Sequence, residues 1–565
     1  MADDRKTSTQ PSSHRHVISN ANLISRLTMA SRVFGLLRDK ICSYFLGVGV
    51  VWSAFWMGFQ IPNLFRRIFG EGALTALFVP AYTKLRSEQG VAAADQFARS
   101  VLVLLALVLA AITIIGECVV LPLALNNNLL PENRLAAGMI ALMLPYTMAI
   151  CVVALLGAFA AVHNRFASQS LAPITTSILM ALGAALPAMY FARHAPLSDR
   201  IWWVAAAVLA SGVVQLLMLG ITAHRSGLRW GRLEFSSPAV KSVIRQMGVM
   251  VVGFSAVQIN TFLDSQIAWW FSPDGHQGSH YLHIGSWHVH LPMLTGALGK
   301  LSVAQRIYML PVGVFGVAIA TAVFPRLSAL AAESRLDDLK ELLRGAFRRG
   351  LFLSIPATVG MIIVAHTLIS AIYLGGHVSA ADVARATRAA RWFCAGIWAF
   401  ELQMILIRVF YAFHDSRTPM KVALAAVALN LALNVLLIWP LGVAGIAAST
   451  TISAIFQCVL LLSLLRRRIG HLQLRSTGGM LLRVLVATAA MAAAALAVAA
   501  VCHRWLHVLP AHPIVAHIIT LLFLVGVAAT VYALAARWLN ISELAHAPII
   551  GRFAHRKGTK ARSEV

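Results

Sequence analysis

Negative charge is the scarcest feature of this 565-residue chain, which has 21 Asp and Glu residues against 47 Lys and Arg residues. Charged residues of both signs make up only 12% of the sequence, whereas 59% is hydrophobic and the mean hydropathy is +0.75. This composition excludes an ordinary soluble domain and indicates a polytopic membrane protein. The formal net charge of +26 does not indicate nucleic-acid binding, because the basic residues lie in short loops between apolar runs.

Cysteine is also scarce, and no CxxC pair or Cys/His ligand spacing occurs, which excludes a disulfide framework and a cysteine metal cluster. The sequence lacks a GxxxxGK(S/T) loop, a GxSxG turn and an HExxH helix, so an enzyme that hydrolyses ATP or forms covalent intermediates is not expected. The polar start lacks the pattern of a cleavable signal, so the first helix is expected to be an uncleaved anchor. The single cysteines are Cys42, Cys118, Cys151, Cys394, Cys458 and Cys502.

Long apolar runs are what the chain has in abundance. At roughly 20 residues per span, they predict fourteen transmembrane helices. These lie near residues 18–47, 50–83, 98–125, 137–162, 168–192, 201–223, 246–271, 297–324, 350–374, 389–412, 420–439, 443–465, 480–502 and 514–537. Clusters of Lys and Arg follow helices 2, 6, 8, 12 and 14, and the alternate loops have few basic residues. Both termini are therefore expected to be cytoplasmic.

An internal repeat divides the chain. FAAVHNR at residues 159–165 resembles FYAFHDS at 410–416, and FVPAYTKL at 78–85 resembles VFPRLSAL at 323–330. Both offsets are close to 250 residues, so helices 1–6 correspond to helices 7–12. Because six is an even number, the two halves form a parallel repeat. Transporters built in this way bind their substrate at the interface of the halves and alternate access by rocking.

The fold class predicted is an all-α polytopic membrane protein with two parallel six-helix repeats and two additional C-terminal helices. The predicted segments are a cytoplasmic tail (1–17), an N-lobe (18–223), a cytoplasmic linker (224–245), a C-lobe (246–465), helices 13 and 14 (466–538) and a basic cytoplasmic tail (539–565).

Charged residues are concentrated in the stretch 31–72, which contains two of the predicted helices. Arg32, Arg38 and Asp39 belong to the first, and Arg66, Arg67 and Glu71 to the second. The C-lobe adds Arg306, next to Gln305. A cation near the middle of a bilayer costs about 2.5–3.5 kcal/mol, so such residues normally face a protein interior or a wet cavity. Arginine is suited to multidentate phosphate recognition, and the excess of arginine predicts a site for an anionic ligand.

A second interpretation remains open for two of these arginines. Arg66 and Arg67 also fit arginines that extend to lipid headgroups at the membrane surface. Ser53, Gln60 and Arg67 recur at intervals of seven along helix 2, which places them close to one face. Asp39 and Glu71 are suited to holding the arginines in position.

A second polar group lies in the C-lobe, where Asp264 of helix 7 joins Asn430 and Asn434 of helix 11 and Thr450 of helix 12. Oxygen ligands from neighbouring helices suit a small hard cation such as Na⁺. Hydrogen bonds between helices are the other interpretation. The external segment 272–293 contains five histidines and is expected to be a solvated loop, with zinc binding as the alternative.

Four blocks make the sequence recognisable: SRVFGLLRDK, FQIPNLFRRIFGEGALTALFVPAY, HNRFASQSLAP and AQRIYMLPVGVFGVAIATAVFP. They resemble the MurJ (MviN) lipid II flippases of the multidrug/oligosaccharidyl-lipid/polysaccharide (MOP) exporter superfamily, and the resemblance extends over about residues 20–540. It implies a bacterial inner-membrane transporter that moves lipid-linked peptidoglycan precursor from the cytoplasmic to the periplasmic leaflet for cell wall synthesis. It also implies a functional role for Arg32, Arg38, Arg66, Arg306, Asp39 and Glu71. The candidate substrate-binding residues further include Ser53, Gln60 and Gln305.

The chain departs from this family at several positions. Ser53 and Gln60 stand where some members have an acid and a lysine, and Gln305 and Met309 stand where some have acids. The family's sodium site falls on Asp264, Asn430, Asn434 and Thr450, with an amide where some members have an acid. Sodium, protons and the membrane potential all remain open as energy sources.

Three other functions are weighed against this one. The arginines suit any polyprenyl diphosphate, so a flippase for an O-antigen or exopolysaccharide unit is the first alternative. A drug exporter of the MATE type would need an acidic interior, and a membrane scaffold would not need the arginines. A monomer is expected, and enzymes of cell-wall synthesis are candidate partners.

Overall fold

The apolar runs fold into helices in a computed structural model, which describes residues 11–276, 279–284, 287–472, 475–506 and 513–546. The predicted tails 1–17 and 539–565 lie largely outside these residues. The helices are α1 (Pro11–Leu46), α2 (Val50–Phe65), α3 (Leu74–Glu88), α4 (Gly90–Leu125), α5 (Pro131–Val162), α6 (Phe166–Leu186), α7 (Leu197–Arg225), α8 (Pro238–Trp270), α9 (Ala297–Pro311), α10 (Val317–Ala332), α11 (Leu336–Tyr373), α12 (Ala380–Ala395), α13 (Ile397–Ala412), α14 (Arg417–Leu441), α15 (Val443–Ile469), α16 (Arg475–Leu506) and α17 (Pro513–Trp538).

The prediction of an all-helical polytopic protein is confirmed. Among the described residues, ten helices are long and apolar enough to cross a membrane, and a bent pair, α12 and α13, raises the number to eleven. Helical residues occupy each of the fourteen predicted positions. The count of fourteen spans stays a prediction, because some of these helices are too polar or too short to qualify alone.

Several helices extend further than their apolar runs indicated. The ninth predicted helix was expected from residue 350, but α11 begins at Leu336. The additional turns are amphipathic and bury Leu339, Leu343 and Phe347, so packing stabilises a helix that hydropathy alone does not reveal. In the same way α8 begins at Pro238, inside the predicted linker 224–245.

The chain divides into two compact units. Unit 1 comprises Met1–Phe262 and Asp274–Ser279, and unit 2 comprises Leu263–Pro273 and His280–Val565, so the division falls within α8. The predicted lobe boundaries are a finer statement and stay a prediction.

The core of unit 1 is built from α3, α4, α5 and α7. Aromatic side chains at its centre include Phe78, Tyr82, Phe97 and Phe159, which pack as stacked or edge-to-face pairs. In addition, α2 packs along α5, and α1 packs along α6. This packing fixes the position of α1, which carries Arg32 and Arg38, and of α2, which leads directly into Arg66 and Arg67.

Unit 2 has one core at α10, α11, α13 and α15, with Leu343, Phe347, Val409 and Leu461 among its members. Helices α16 and α17 pair with each other and pack along α11. The Tyr532 hydroxyl of α17 donates a hydrogen bond to the Phe352 carbonyl of α11 at 2.7 Å. The two C-terminal helices are therefore attached to α11.

The same irregularities recur in both units and support the internal repeat. A π-helical turn, Arg66–Ala73, joins α2 to α3, and another, Val312–Gly316, joins α9 to α10. Each turn precedes the proline of a repeated motif, Pro80 or Pro325. Asn164 and His414 have matching positive φ angles of 58° and 57° at the equivalent turns after α5 and α13.

The histidine-rich segment contains more order than the solvated loop that was expected. Strands β1 (Tyr281–Ile284) and β2 (Trp287–His290) form an antiparallel hairpin in which Tyr281 pairs with His290. The rings of His280 and His290 stack at 6.2 Å between centroids. No group of three metal-binding side chains occurs among the described residues, although the side chain of His283 lies outside them.

Candidate functional site

The first arginine of the candidate site is paired with its neighbour in sequence. On α1, the Nε and Nη2 atoms of Arg38 lie 2.9 and 2.7 Å from Oδ1 of Asp39. The side chains are only 12% and 6% exposed. Two nearly buried charges that hydrogen-bond in this way hold each other in position. The predicted role of Asp39 in orienting an arginine thus has a specific geometry.

A second arginine lies where the helix changes geometry. Arg66 is the first residue of the π-helical turn, and its Nε and Nη2 atoms both donate to Oδ1 of Asn63, at 3.2 and 2.8 Å. The next residue, Arg67, donates from Nη1 to Oε1 of Gln258 on α8 at 3.1 Å. Both arginines are half-buried, and these hydrogen bonds lie within unit 1.

Arg38 and Arg66 belong to neighbouring parts of unit 1, because α1 packs along α6, α2 packs along α5, and α5 contacts α6. The interior there is partly polar, since Gln215 donates to Thr176 at 2.6 Å and to the Ala172 carbonyl at 3.0 Å. Two neighbouring segments of unit 1 thus carry arginines, whose positive charge suits an anionic ligand.

The other predicted residues of unit 1 have varied environments. Arg32 is half-buried on α1. Ser53 is fully buried, and its hydroxyl donates to the Gly49 carbonyl of its own helix at 3.1 Å. Gln60 donates to the sulfur of Met57 at 3.5 Å. Glu71 belongs to the π-helical turn, but its side chain lies outside the described part of the chain.

Unit 2 contributes a separate arginine. Gln305 and Arg306 lie on α9, half-buried, shortly before Pro311 and the π-helical turn. Arg306 thus precedes the turn of unit 2, whereas Arg66 begins the turn of unit 1.

The predicted sodium ligands are brought together in unit 2. Asn434 donates to Oδ1 of Asp264 at 2.7 Å and to Oδ1 of Asn430 at 2.9 Å. Thr450 donates to Oδ2 of Asp264 at 3.3 Å and accepts a bond of 3.3 Å from Asn430. Asp264, Asn430 and Asn434 are buried. Four oxygen-bearing side chains from three helices thus form one hydrogen-bonded group, with a single carboxylate.

Two buried charged residues of unit 2 were not predicted from the sequence. Lys300 of α9 is buried and forms a 3.1 Å ion pair with Asp382 at the start of α12. Glu401 of α13 is almost completely buried. Each is a lone charged residue in an apolar run, ALGKLSV or FELQMILI, and that isolation is the signal that could have revealed them.

Solved structures identify the class of fold. The chain is similar to a structure described as "Lipid II flippase MurJ, inward closed conformation", with a TM-score of 0.69 at 20% identity, covering 92% of this chain and 99% of that one. It is also similar to an inward-facing multidrug resistance MATE family transporter of the MOP superfamily, with a TM-score of 0.61 at 15% identity, covering 80% and 99% of the two chains. The chain therefore shares the fold of these two proteins.

Sequence comparison identifies the family within this class. The family model described as "Lipid II flippase MurJ" matches residues 42–516. A protein of Rhizobium tropici named "Probable lipid II flippase MurJ" is 31% identical over 454 residues, covering 79% of this chain and 80% of that protein. A protein of the same name from Rickettsia prowazekii (strain Madrid E) is 28% identical over 449 residues, covering 78% and 82%. The chain belongs to the MurJ lipid II flippase family, and it is a multi-pass membrane protein.

Proposed function

We propose that this protein is a lipid II flippase, a transporter that moves the undecaprenyl-diphosphate-linked peptidoglycan precursor from the cytoplasmic to the periplasmic leaflet. The family match over residues 42–516 carries the proposal. The chemistry of unit 1 supports it, because Arg38 is nearly buried and Arg66 is half-buried, so both guanidinium groups are partly shielded from water. A diphosphate is a bidentate or multidentate anion, and guanidinium groups bind such anions strongly when they are shielded from water.

The arginines are already held by partners that a diphosphate could replace or join. Arg66 is bonded to a neutral amide oxygen of Asn63, whereas Arg38 is bonded to the carboxylate of Asp39. A charged phosphate oxygen is a stronger acceptor than an amide oxygen. Arg66 is therefore expected to exchange Asn63 for the substrate, while Arg38 keeps Asp39 as its support. Arg32 and Arg306 keep their predicted roles as further phosphate ligands.

The proposed setting is the bacterial inner membrane, with a monomer whose termini are both cytoplasmic and whose partners include enzymes of cell-wall synthesis. The basic loops after alternate helices support this orientation. An inside-negative potential contributes about 2.3 kcal/mol per elementary charge per 100 mV. This potential drives an anionic headgroup outward and favours the inward return of an emptied cationic site.

Complementation tests the proposal. The chain is expressed in a bacterium depleted of its own lipid II flippase, and periplasmic access to lipid II is measured with an impermeant reagent. Restored growth and access are expected. Arg32→Ala, Arg38→Ala and Arg66→Ala should abolish rescue with normal membrane insertion, whereas Arg467→Ala, at an exposed position on α15, should not. Failure of the wild-type chain, or rescue only of an O-antigen flippase mutant, contradicts the proposal.

Sodium is proposed as a coupling ion at Asp264, Asn430, Asn434 and Thr450. All four side chains carry oxygens, and one carboxylate matches the charge of a monovalent cation. Binding would require the amide of Asn434 to turn its oxygen toward the ion, in place of the hydrogen bond that it donates to Asp264. Replacing Na⁺ with K⁺ should slow flipping by the wild-type chain but leave Asp264→Asn unchanged. Equal wild-type rates in both salts contradict this assignment.

A further inference from the structure

The carboxyl group of Glu401 is the most isolated acid in the described part of unit 2. Glu401 belongs to α13, and the residue is buried, with only 1% of its surface exposed. Neither Oε1 nor Oε2 has a hydrogen-bond partner among the residues that the structure describes. A carboxylate that is removed from water without a hydrogen bond or counter-ion is strongly disfavoured, and such a group takes up a proton instead.

Glu401 packs directly against the break between α9 and α10. Gly316 is the last residue of the π-helical turn, and a Cβ at that position would lie 3.0 Å from Cγ of Glu401 and 3.3 Å from Sδ of Met404. A side chain at position 316 would therefore press against Glu401 and Met404, and the glycine allows the two segments to approach closely. Because π-helical turns interrupt the regular hydrogen bonding of a helix, the turn is a point at which α9 and α10 can change their relative angle.

The helix that carries Glu401 is itself bent a short distance away. Helices α12 and α13 meet at Gly396 with an angle of 42°. A Cβ at Gly396 would lie 2.9 Å from the Phe400 ring and 3.0 Å from Oγ1 of Thr451. Glu401 therefore lies between two irregular points, the bend at Gly396 and the turn that ends at Gly316. A change in its charge would act on both.

The charged groups around Glu401 do not neutralise it. On α13 itself, Arg408 lies seven residues further on, about 10 Å along the axis. Its Nη1 donates to the Ala320 carbonyl of α10 at 3.1 Å, and its guanidinium lies over the Phe324 ring.

The elements that pack against α13 have few charged or titratable residues near the middle of that helix. The π-helical turn has no charged or titratable residue, and α10 has only Arg326. Most charges of α11 lie in its first turns, up to Arg349, and those of α15 lie in its last turn. The remaining titratable groups are His366 and Tyr373 on α11, Cys458 on α15, Tyr411 on α13, Asp382, Arg385, Arg388, Arg391 and Cys394 on α12, Arg417 and Lys421 on α14, and Lys300, Arg306 and Tyr308 on α9, whose Tyr308 ring stacks on Phe400 of α13. In the described part of the chain, none of them forms an ion pair with Glu401.

We propose that Glu401 is a proton-binding site whose occupancy controls the packing of the break between α9 and α10 and thereby regulates flipping. The protonated acid is compatible with the close contact at Gly316. Loss of the proton creates a charge that must reach water or a cation, which requires α13 and the turn to separate. Since α9 also carries Arg306, this separation would move a proposed phosphate ligand. The regulatory part rests on the proposed flippase function, whereas the proton site itself does not.

Infrared spectroscopy on the purified full-length protein tests the proton site independently of transport. The pH-difference spectrum of the wild type should contain a carbonyl band of a protonated carboxylic acid that appears and disappears in the neutral range. Glu401→Gln should remove this band, and Glu401→Asp should shift its frequency and retain its pH response. Glu543→Gln, which alters another buried acid, should leave the band unchanged. A wild-type spectrum without such a band, or a band that survives in Glu401→Gln, overturns the proposal.

Flipping tests the regulatory part. Glu401→Gln mimics the permanently protonated acid, so it should insert normally, lose most of its flipping activity and lose the pH dependence of the wild type. Glu401→Asp should restore the pH dependence in part. A Glu401→Gln variant with the wild-type rate and pH profile overturns the regulatory role. If the wild-type chain does not flip lipid II at all, the proposed function fails, and the infrared titration still decides whether Glu401 binds a proton.

Discussion

Gly58 tests how closely α2, the helix that leads into Arg66, packs against α5. A Cβ at Gly58 would lie 2.6 Å from the carbonyl oxygen and 2.7 Å from the carbonyl carbon of Met139 on α5, and 3.1 Å from the amide nitrogen of Ile140. These are backbone atoms, so no side-chain rotation can relieve the contact. Favourable contacts between non-bonded heavy atoms need about 3.5–4.0 Å, so α2 would have to move outward by about 1 Å.

We therefore expect Gly58→Ala to destabilise the protein. Overpacking at a site of this kind costs about 1–3 kcal/mol, which should lower the Tm of the detergent-purified protein by a few degrees. Flipping should fall as well, because α2 contains Asn63 and leads directly into Arg66, so a displaced α2 moves both residues. Gly49→Ala is the matched control, since Gly49 precedes the same helix and a Cβ there has no neighbour within 4 Å.

The measurement is a thermal melt of both variants beside the wild type, followed by complementation at a permissive temperature. A Gly58→Ala protein as stable as Gly49→Ala would refute the close crossing of α2 and α5. Normal stability combined with lost rescue would also refute the reasoning, because the predicted loss of function follows from displacement of the helix.

Two further variants test the charged contacts. Asp39→Ala removes the carboxylate that Arg38 bonds, and breaking a buried pair typically costs about 3–5 kcal/mol; a melt that matches the wild type would contradict this. Burial acts to raise the pKa of Glu543, but the hydrogen bond from Arg348 and further bonds to the carboxylate outweigh it, so the pKa is lowered. A lowered pKa stabilises the fold above the unfolded-state value of about 4.3 and loses this contribution as the pH falls through the folded-state pKa. Glu543→Gln should therefore melt below the wild type at neutral pH, and acidification should bring the two melting temperatures together; a constant difference would contradict the ion pair.

The part of the candidate site that consists of charged residues in apolar runs was predictable, because burying a charge in a membrane costs free energy. Arg38, Asp39 and Arg66 were identified because charge in an apolar run needs a reason, and the structure gives each of them a bonded partner. The polar group around Asp264 was predicted from oxygen-bearing side chains on three helices, and it assembles as hydrogen bonds.

Other features depended on geometry that a sequence does not encode locally. The π-helical turns at Arg66–Ala73 and Val312–Gly316 do not alter hydropathy, although Pro311 immediately precedes the second of them. The early start of α11 comes from amphipathic turns whose apolar face is defined only by its neighbours. Glu401 was overlooked because a single acid carries no spacing pattern, and its isolation becomes evident only when its surroundings are known.

The central claim is that arginines of unit 1 bind the diphosphate of a lipid-linked precursor, and direct binding to purified protein tests it. Lipid II affinity is measured for the wild type and for a variant with Arg38→Gln and Arg66→Gln together, with the corresponding polyprenyl alcohol as a ligand without phosphate. We predict tight wild-type binding of lipid II, a large loss in the double variant and equally weak binding of the alcohol by both proteins. Unchanged lipid II affinity in the double variant would contradict the claim.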